Sequence, residues 1–368
     1  MRIALLQPSY WPEVRRGTER VVHDLGARLA ERGHDVTLIS SHPGPGTLAV
    51  EDGFRVVRTR RPPRPAPLRW YEDHIESTPV MVRQLLRGNY DIAHAFAPSY
   101  AWAAVKARRL GGPPTIFSFH GIPERRYLIA RRYRIEMLET IVAEAAATTV
   151  LSQAAAAVFR RYLLVDAAVL PGGVVSADFA VQQHRAERPT LICSASLGDP
   201  RKGAELLFSA FESLRLGRVD ARLVLVRTPD PIMSPIEVRA PEGAEWIDAN
   251  DTAALARAYS QAWASVLTAT GEAFGLVLIE SMAAGTPVVA PRSGGCPEIV
   301  ADDRVGRLYA PGDEADLVRA MEQALELGRE EATPEACRAR AAEYDWERVI
   351  QGYERLYGSV VRSDVEAA

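Results

Sequence analysis

The chain has 368 residues, more than a single hydrophobic core usually carries, so two domains are expected. With 47% hydrophobic and 25% charged residues it has the composition of a folded soluble protein, and a net charge of −3 excludes a dedicated nucleic-acid binder, which needs a basic excess over a domain. Three widely spaced cysteines, Cys193, Cys296 and Cys337, fit neither a disulfide framework nor a zinc site and point to a reducing cytoplasm.

Arg2 to Leu6 reads as a buried parallel strand, too short before Gln7-Pro8 to be a signal peptide. Thr18 to Arg32 reads as a helix with Val21, Val22, Leu25 and Leu29 on one face, and Asp35 to Ser40 as a second strand. The opening is therefore a βαβ unit of a doubly wound sheet. Its connecting loop, Tyr10 to Glu19, is long and lacks G-x-G-x-x-G, which removes the usual dehydrogenase reading. His42 to Thr47 is a Pro/Gly loop, and Arg58 to Arg69, with five arginines among four prolines, is expected as a surface loop rather than a helix or central strand.

Tyr90 to Phe96 and Thr115 to Phe119 read as further strands around a helix near Tyr100 to Leu110, and His120-Gly121 follows at the carboxyl end, where parallel sheets present ligand groups. Glu124 to Glu144 is expected as one long helix that opens with Arg125, Arg126, Arg131, Arg132 and Arg134 around Tyr127 and Tyr133. Such a basic aromatic cluster is either a solvated face or a weak contact with an anionic membrane or acidic acceptor. No stretch is apolar for the length needed to span a bilayer, since Ile141 to Phe159 is interrupted by Glu144, Ser152 and Gln153. Short strands at Ala147 to Leu151 and Ala167 to Leu170 lead to Pro171-Gly172-Gly173-Val174, followed by a polar linker. Beyond it, strands at Thr190 to Ala195 and Ala221 to Val226 flank Gly198-Asp-Pro-Arg-Lys-Gly203 and a helix from Ala204; helices at Ala315 to Leu327 and around Trp346, Tyr353 and Tyr357 close the chain.

The most informative stretch runs from Ala264 to Val300: a buried strand at Ser265 to Leu267, a break at Thr270-Gly271, and a helical pattern from Gly275. This order points a helix N-terminus, with unpaired N–H groups from Phe274, Gly275 and Leu276, at the carboxyl end of a sheet, where anions are held. Glu272 and Glu280 flank it, and ionised carboxylates, acceptors only, suit sugar diols. A nucleotide-sugar has both a diphosphate and such diols.

Glu272-Ala-Phe-Gly-Leu-Val-Leu-Ile-Glu280, followed by Gly285-Thr-Pro-Val-Val289 and Gly294-Gly-Cys-Pro-Glu298, resembles the donor signature of the retaining GT-B glycosyltransferases, most closely family 4. The resemblance implies an α/β fold of two Rossmann-like doubly wound domains facing a central cleft, with a C-terminal helix crossing back. The domains expected are 1–172, completed by 345–362, and 173–344. The first glutamate would contact sugar hydroxyls and the second the ribose; Lys202 matches the lysine on the diphosphate, and His120 the histidine near the reacting centre. Three departures stand out. Arg16-Gly17 replaces two adjacent glycines near the phosphates, Ser196 stands where an arginine is usual, with Arg201 a candidate substitute, and Phe96 replaces the last histidine of an Asp-x-x-His-x-His strand.

The function implied is a retaining glycosyltransferase that moves a sugar from a UDP- or GDP-linked donor to an acceptor hydroxyl. It would need no cofactor and no metal, because the Asp-x-Asp pair of the metal-dependent class is missing. His120 and Glu272 are the catalytic candidates; Gly17, Arg201, Lys202, Phe274, Gly275, Leu276 and Glu280 are the donor-binding candidates, with Arg16, Ser196 and Glu298 in support. A GT-B nucleotide-sugar epimerase and a non-catalytic partner protein are the alternatives. The expected partners are the donor and a small-molecule, glycan or lipid acceptor, with no nucleic acid, in the cytoplasm or at the inner membrane face.

Overall fold

The computed structural model describes residues 1–14, 17–61, 75–123, 132–227, 239–248 and 251–367, so Arg16 and most of the basic runs 58–69 and 125–134 lie outside the described residues. The chain divides into two compact units, Met1–Pro171 with Glu347–Ala368, and Gly172–Trp346.

The first unit is built on an eight-stranded sheet. Its strands are β1 (Arg2–Leu6), β2 (Asp35–His42), β3 (Thr47–Glu51), β4 (Phe54–Arg60), β5 (Ile92–Ala95), β6 (Thr115–Phe119), β7 (Ala147–Val150) and β8 (Ala168–Val169). The spatial order is β3-β4-β2-β1-β5-β6-β7-β8, and all pairs are parallel except β3 with β4. Ile3, Ala4, Leu5 and Leu6 are fully buried, as expected of a parallel strand covered on both faces. Helices α1 (Gly17–Glu31), α2 (Thr78–Arg87), α3 (Pro98–Arg109), α4 (Arg132–Glu144) and α5 (Gln153–Leu163) connect the strands. The predicted face of α1, Val21, Val22, Leu25 and Leu29, is buried.

One expectation needs correction here. Thr47 to Arg60 forms a hairpin, turned at Asp52 (φ 44°) and Gly53 (φ 84°), the left-handed pair that an Asp-Gly turn supplies. Arg58, Thr59 and Arg60 therefore belong to β4, which has strands on both sides. The prolines that argued against a strand begin only at Pro62, so the residues before them keep their ladder N–H groups. Of the long helix expected from Glu124, the part that is described is Arg132–Glu144.

The second unit holds six parallel strands, β9 (Thr190–Cys193), β10 (Arg222–Arg227), β11 (Ala244–Asp248), β12 (Ala264–Val266), β13 (Val288–Pro291) and β14 (Gly306–Tyr309), in the order β11-β10-β9-β12-β13-β14. The helices among them are α6 (Ser176–Phe179), α7 (Ala204–Gly217), α8 (Thr252–Gln261), α9 (Leu276–Ala283), α10 (Cys296–Ile299), α11 (Glu314–Leu327) and α12 (Thr333–Ala342). Trp246 to Asp248 lies in β11, and α8 follows with Asp251 accepting the Ala254 N–H at 2.6 Å as its cap. The final helix, α13 (Trp346–Ala367), belongs to the first unit from Glu347 onward. Its aromatic stripe is core, as expected: Trp346, Tyr353 and Tyr357 are each at most 1% exposed.

Candidate active site

In the second unit the chain winds from β9 outward to β10 and β11, then returns to the other side of β9 as β12. The strand order reverses between β9 and β12, and ligands of doubly wound sheets bind outside the carboxyl ends of the strands at such a switch point. The loop after β9 carries Ser196 to Gly203, and the loop after β12 carries Thr268 to Gly275. These loops are stitched together: the Thr268 hydroxyl donates to the carbonyl of Lys202 at 2.8 Å, and the Thr270 N–H to that of Arg201 at 2.8 Å. Gly203 adopts φ +69°, and a Cβ there would stand 2.4 Å from the Thr268 carbonyl oxygen, so the close approach itself requires glycine.

The stitching brings Lys202 Nζ to 2.7 Å from Glu272 Oε2, a half-buried ion pair. Arg201 is exposed and held by Asp199, with 2.6 Å between guanidinium and carboxylate. Burial would raise the Asp199 carboxyl, but the hydrogen bonds and charge of Arg201 prevail and keep it below the usual carboxylate range. Ser196 belongs to the same turn and accepts the Asp199 N–H on its carbonyl at 3.0 Å.

Helix α9 starts just past Glu272. Its N-cap is Gly275 at φ +103°, without a side-chain cap, so its first N–H groups remain available to an anion. Phe274 is buried and meets Tyr344 edge to face at 5.5 Å, which fixes the approach to that N-terminus; Leu276 is half-buried. Gly295 packs on the same segment: its N–H donates to the Glu272 carbonyl at 2.9 Å, and a Cβ would lie 2.4 Å from the Ala273 carbonyl oxygen. Glu280, inside α9, is 2% exposed, and Glu298 accepts the Tyr344 hydroxyl on its backbone carbonyl at 3.3 Å. Cys296 lies against this site with its thiol pushed up to about 12 by burial and then by the Glu272 charge, so it is no nucleophile.

In the first unit His120 follows β6 directly. Both ring nitrogens are buried without a hydrogen-bond partner among the described residues, and the ring meets the Phe96 edge at 5.1 Å between centroids. Burial drives its pKa down to about 3, so the ring is a neutral imidazole with one donor and one acceptor to offer. His94, fully buried behind Phe96, is spanned by the Tyr357 hydroxyl at 2.7 Å and the Ser118 hydroxyl at 2.6 Å; it is part of the core. Gly17 is the exposed first residue of α1.

Residues 15–177 match Glycosyltransferase Family 4, and residues 176–344 match Glycosyl transferases group 1, so the two run through nearly the whole chain in order. The chain belongs to glycosyltransferase family 4. This transferase is 28% identical over 361 residues to a phosphatidyl-myo-inositol mannosyltransferase of Propionibacterium freudenreichii, across 94% of this chain and 92% of that one. It is 25% identical to a glycogen synthase of Mycobacterium tuberculosis, covering 99% and 96% of the two chains. Its fold is similar to that of sucrose-phosphate synthase from Thermosynechococcus elongatus, with a TM-score of 0.81 at 22% identity over 98% and 99% of the chains. It is a nucleotide-sugar-dependent glycosyltransferase of GT-B fold.

The transferase thus brings together Lys202, Glu272 and the α9 N-terminus, while Arg201 is turned to Asp199. Sequence reasoning missed Thr268, which stitches the two loops, and Asp199, which pairs with Arg201. The signal for Asp199 was present, since Asp-Pro-x-x-Gly is turn chemistry. Thr268 gave none, being the polar end of an apolar strand.

Proposed function

We propose that the protein is a retaining, metal-independent transferase that moves a hexosyl group from a UDP- or GDP-linked donor to an acceptor hydroxyl. The observation that carries this reading is the meeting of Lys202 with Glu272 at the switch point of the second sheet, beside a helix N-terminus with no side-chain cap. As the sugar–phosphate bond breaks, negative charge grows on the departing diphosphate; Lys202 and the α9 N–H groups are placed to stabilise it, the role a divalent cation plays elsewhere. Glu272 then accepts hydrogen bonds from sugar hydroxyls, and Glu280 from the ribose. His120, neutral across the physiological range, offers a ring nitrogen to the substrate without adding a charge that would compete for the diphosphate. Relatives named as mannosyltransferases support a hexosyl donor.

The test is proton NMR of the fresh product from UDP-glucose or GDP-mannose, with and without EDTA. Retention of the donor's anomeric configuration at an unchanged rate is expected. Inversion, or activity abolished by EDTA and restored by magnesium, would refute the reading.

A further inference from the structure

The chain enters the second unit at Gly172 and leaves it after Trp346, and within that unit the two ends are knit into one small joint. Val174 and Asp345 form an isolated parallel bridge outside the six-stranded sheet, in which the Val174 N–H donates to the Tyr344 carbonyl at 2.9 Å and the Trp346 N–H to the Val174 carbonyl at 3.0 Å. The Asp345 carboxylate accepts the Ser176 N–H at 3.1 Å. Trp346, 1% exposed, packs so close on the neighbouring backbone that a Cβ on Gly173 would stand 2.5 Å from its ring. A bridge of a single residue pair has no ladder on either side to hold it, so its opening is a local event that costs far less than unfolding the unit.

The residue whose carbonyl accepts in this bridge also reaches into the donor site. The ring of Tyr344 meets Phe274 edge to face at 5.5 Å, and its hydroxyl donates to the Glu298 carbonyl at 3.3 Å. Arg340, four residues earlier in α12, fixes that ring: its guanidinium lies 5.3 Å from the ring centroid and donates to the phenol oxygen at 3.2 Å. The same guanidinium caps the last carbonyls of α10, that of Ile299 at 3.0 Å and that of Glu298. Phe274 is 3% exposed, so its ring cannot turn away from Tyr344 without opening a void in close-packed surroundings. A shift of the Phe274–Gly275 backbone toward a phosphate is therefore passed to the Tyr344 ring, and through the Tyr344 carbonyl to the Val174 N–H.

We propose that Tyr344 is a positioning residue that couples the donor segment to this bridge, so that a nucleotide held at the α9 N-terminus favours the closed bridge and a closed bridge tightens nucleotide binding. The proposal rests on the reading of that N-terminus as the diphosphate site. Linkage makes the coupling reciprocal: the factor by which nucleotide favours closure is the factor by which closure favours nucleotide. Donor loading is then felt where the chain enters and leaves the second unit, at Val174, Asp345 and Trp346, which are not part of the donor machinery. The ring of Tyr344 carries the coupling rather than its hydroxyl, because Arg340 still serves the Glu298 carbonyl when the phenol oxygen is gone.

Hydrogen-exchange mass spectrometry on the full-length protein tests it, with UDP and GDP as probes and the peptides that contain Val174 and Trp346 as the readout. Saturating nucleotide should slow exchange in both peptides at least threefold in the unaltered protein. Tyr344→Leu should remove this protection while nucleotide still binds, and Tyr344→Phe should keep it. In calorimetric titration Asp345→Ala, which loses the acceptor of the Ser176 N–H, should weaken the nucleotide at least threefold and Asp345→Asn less. The double variant of Tyr344→Leu and Asp345→Ala should bind no more weakly than Tyr344→Leu alone, the non-additivity expected of one pathway. A merely structural role for Tyr344 would lower the melting temperature and leave the protection in place. Should Tyr344→Leu not fold, the unaltered protein and the Asp345 variants carry the test. Exchange that ignores a bound nucleotide, protection that survives Tyr344→Leu, or an affinity indifferent to Asp345→Ala would overturn the proposal. If neither nucleotide binds, the diphosphate-site reading falls and the coupling with it; if a nucleotide binds and the two peptides do not respond, the coupling fails alone.

Discussion

Lys202 and Glu272 are seventy positions apart in sequence, and their side chains meet at 2.7 Å where two loops leave neighbouring strands. The pair is more than a surface bridge. Its side chains are 27% and 18% exposed, and Thr268 fastens the backbone beneath it, so cation and carboxylate are held at fixed positions beside the α9 N-terminus. A donor would exchange their mutual contact for a phosphate on one and sugar hydroxyls on the other, which charge-assisted hydrogen bonds make favourable.

Glu272→Gln should therefore lower turnover by roughly 10²–10³, the scale of losing one preorganised electrostatic contact. The melting temperature should move by no more than about 4 °C, because a half-buried ion pair that solvent still screens contributes on the order of 1 kcal/mol. Steady-state kinetics and a thermal melt on the same preparation check both; full activity in the variant would remove Glu272 from the site.

Lys202→Ala should weaken the donor more than Arg201→Ala, since Arg201 is exposed and already paired with Asp199. If Arg201 does reach the diphosphate, Ser196→Arg should partly rescue Arg201→Ala in donor KM and kcat, both residues belonging to one loop. A silent Arg201→Ala with no rescue by Ser196→Arg would leave Arg201 as a loop residue and make Arg16 the next candidate for the missing charge.

His120, part-buried with both ring nitrogens enclosed, gives stability a pH signature. Its native pKa is about 3, against an ordinary 6.5, so below pH 6.5 the unfolded chain takes up a proton that the native state refuses. The contribution is fully present above pH 6.5 and is lost progressively as pH falls toward 3. His94, also held well below its ordinary value by burial and then by His120, acts in the same direction. Urea denaturation at pH 7.5 and 5.5 should show lower stability at the acid value, and His120→Phe should flatten the difference without abolishing it. An unchanged slope in the variant would contradict the buried, neutral state of this ring.

Gly295→Ala should destabilise the protein by about 1–3 kcal/mol, the usual cost of overpacking, because its Cβ would press on the Ala273 carbonyl at 2.4 Å. Donor binding should fall with it, since that contact shapes the segment from Glu272 to Phe274. Gly33→Ala serves as a control. Gly33 has φ +83° but open space around it, so only backbone strain of about 1–2 kcal/mol is expected, with donor affinity intact. Denaturant melts and nucleotide titrations separate the two cases.

Much of the fold was legible because the strands nearest the sheet centres, such as Arg2 to Leu6 and Thr115 to Phe119, are apolar runs bounded by breakers, and α1 has a clean apolar face. The β3–β4 hairpin was not legible because its strands carry arginines and threonines on a half-exposed edge, and the Pro-rich run directly after them has the composition of a loop. At the site, motif spacing identified Lys202 and Glu272 separately. Their pairing was not legible, because it depends on which strands are neighbours, and the switch of order between β9 and β12 is a property of the whole sheet. The environment of His120 was equally invisible, since its neutrality is produced by burial against residues such as Phe96 from another strand.

The central claim, that Lys202 and the α9 N-terminus form a nucleotide-diphosphate site, is tested most directly by calorimetric titration of UDP and GDP into the protein and into Lys202→Ala. At least one nucleotide should bind the unaltered protein in the presence of EDTA, and Lys202→Ala should weaken it by tenfold or more, the equivalent of about 1.4 kcal/mol. Absence of binding by both nucleotides, or an affinity indifferent to Lys202, would contradict it.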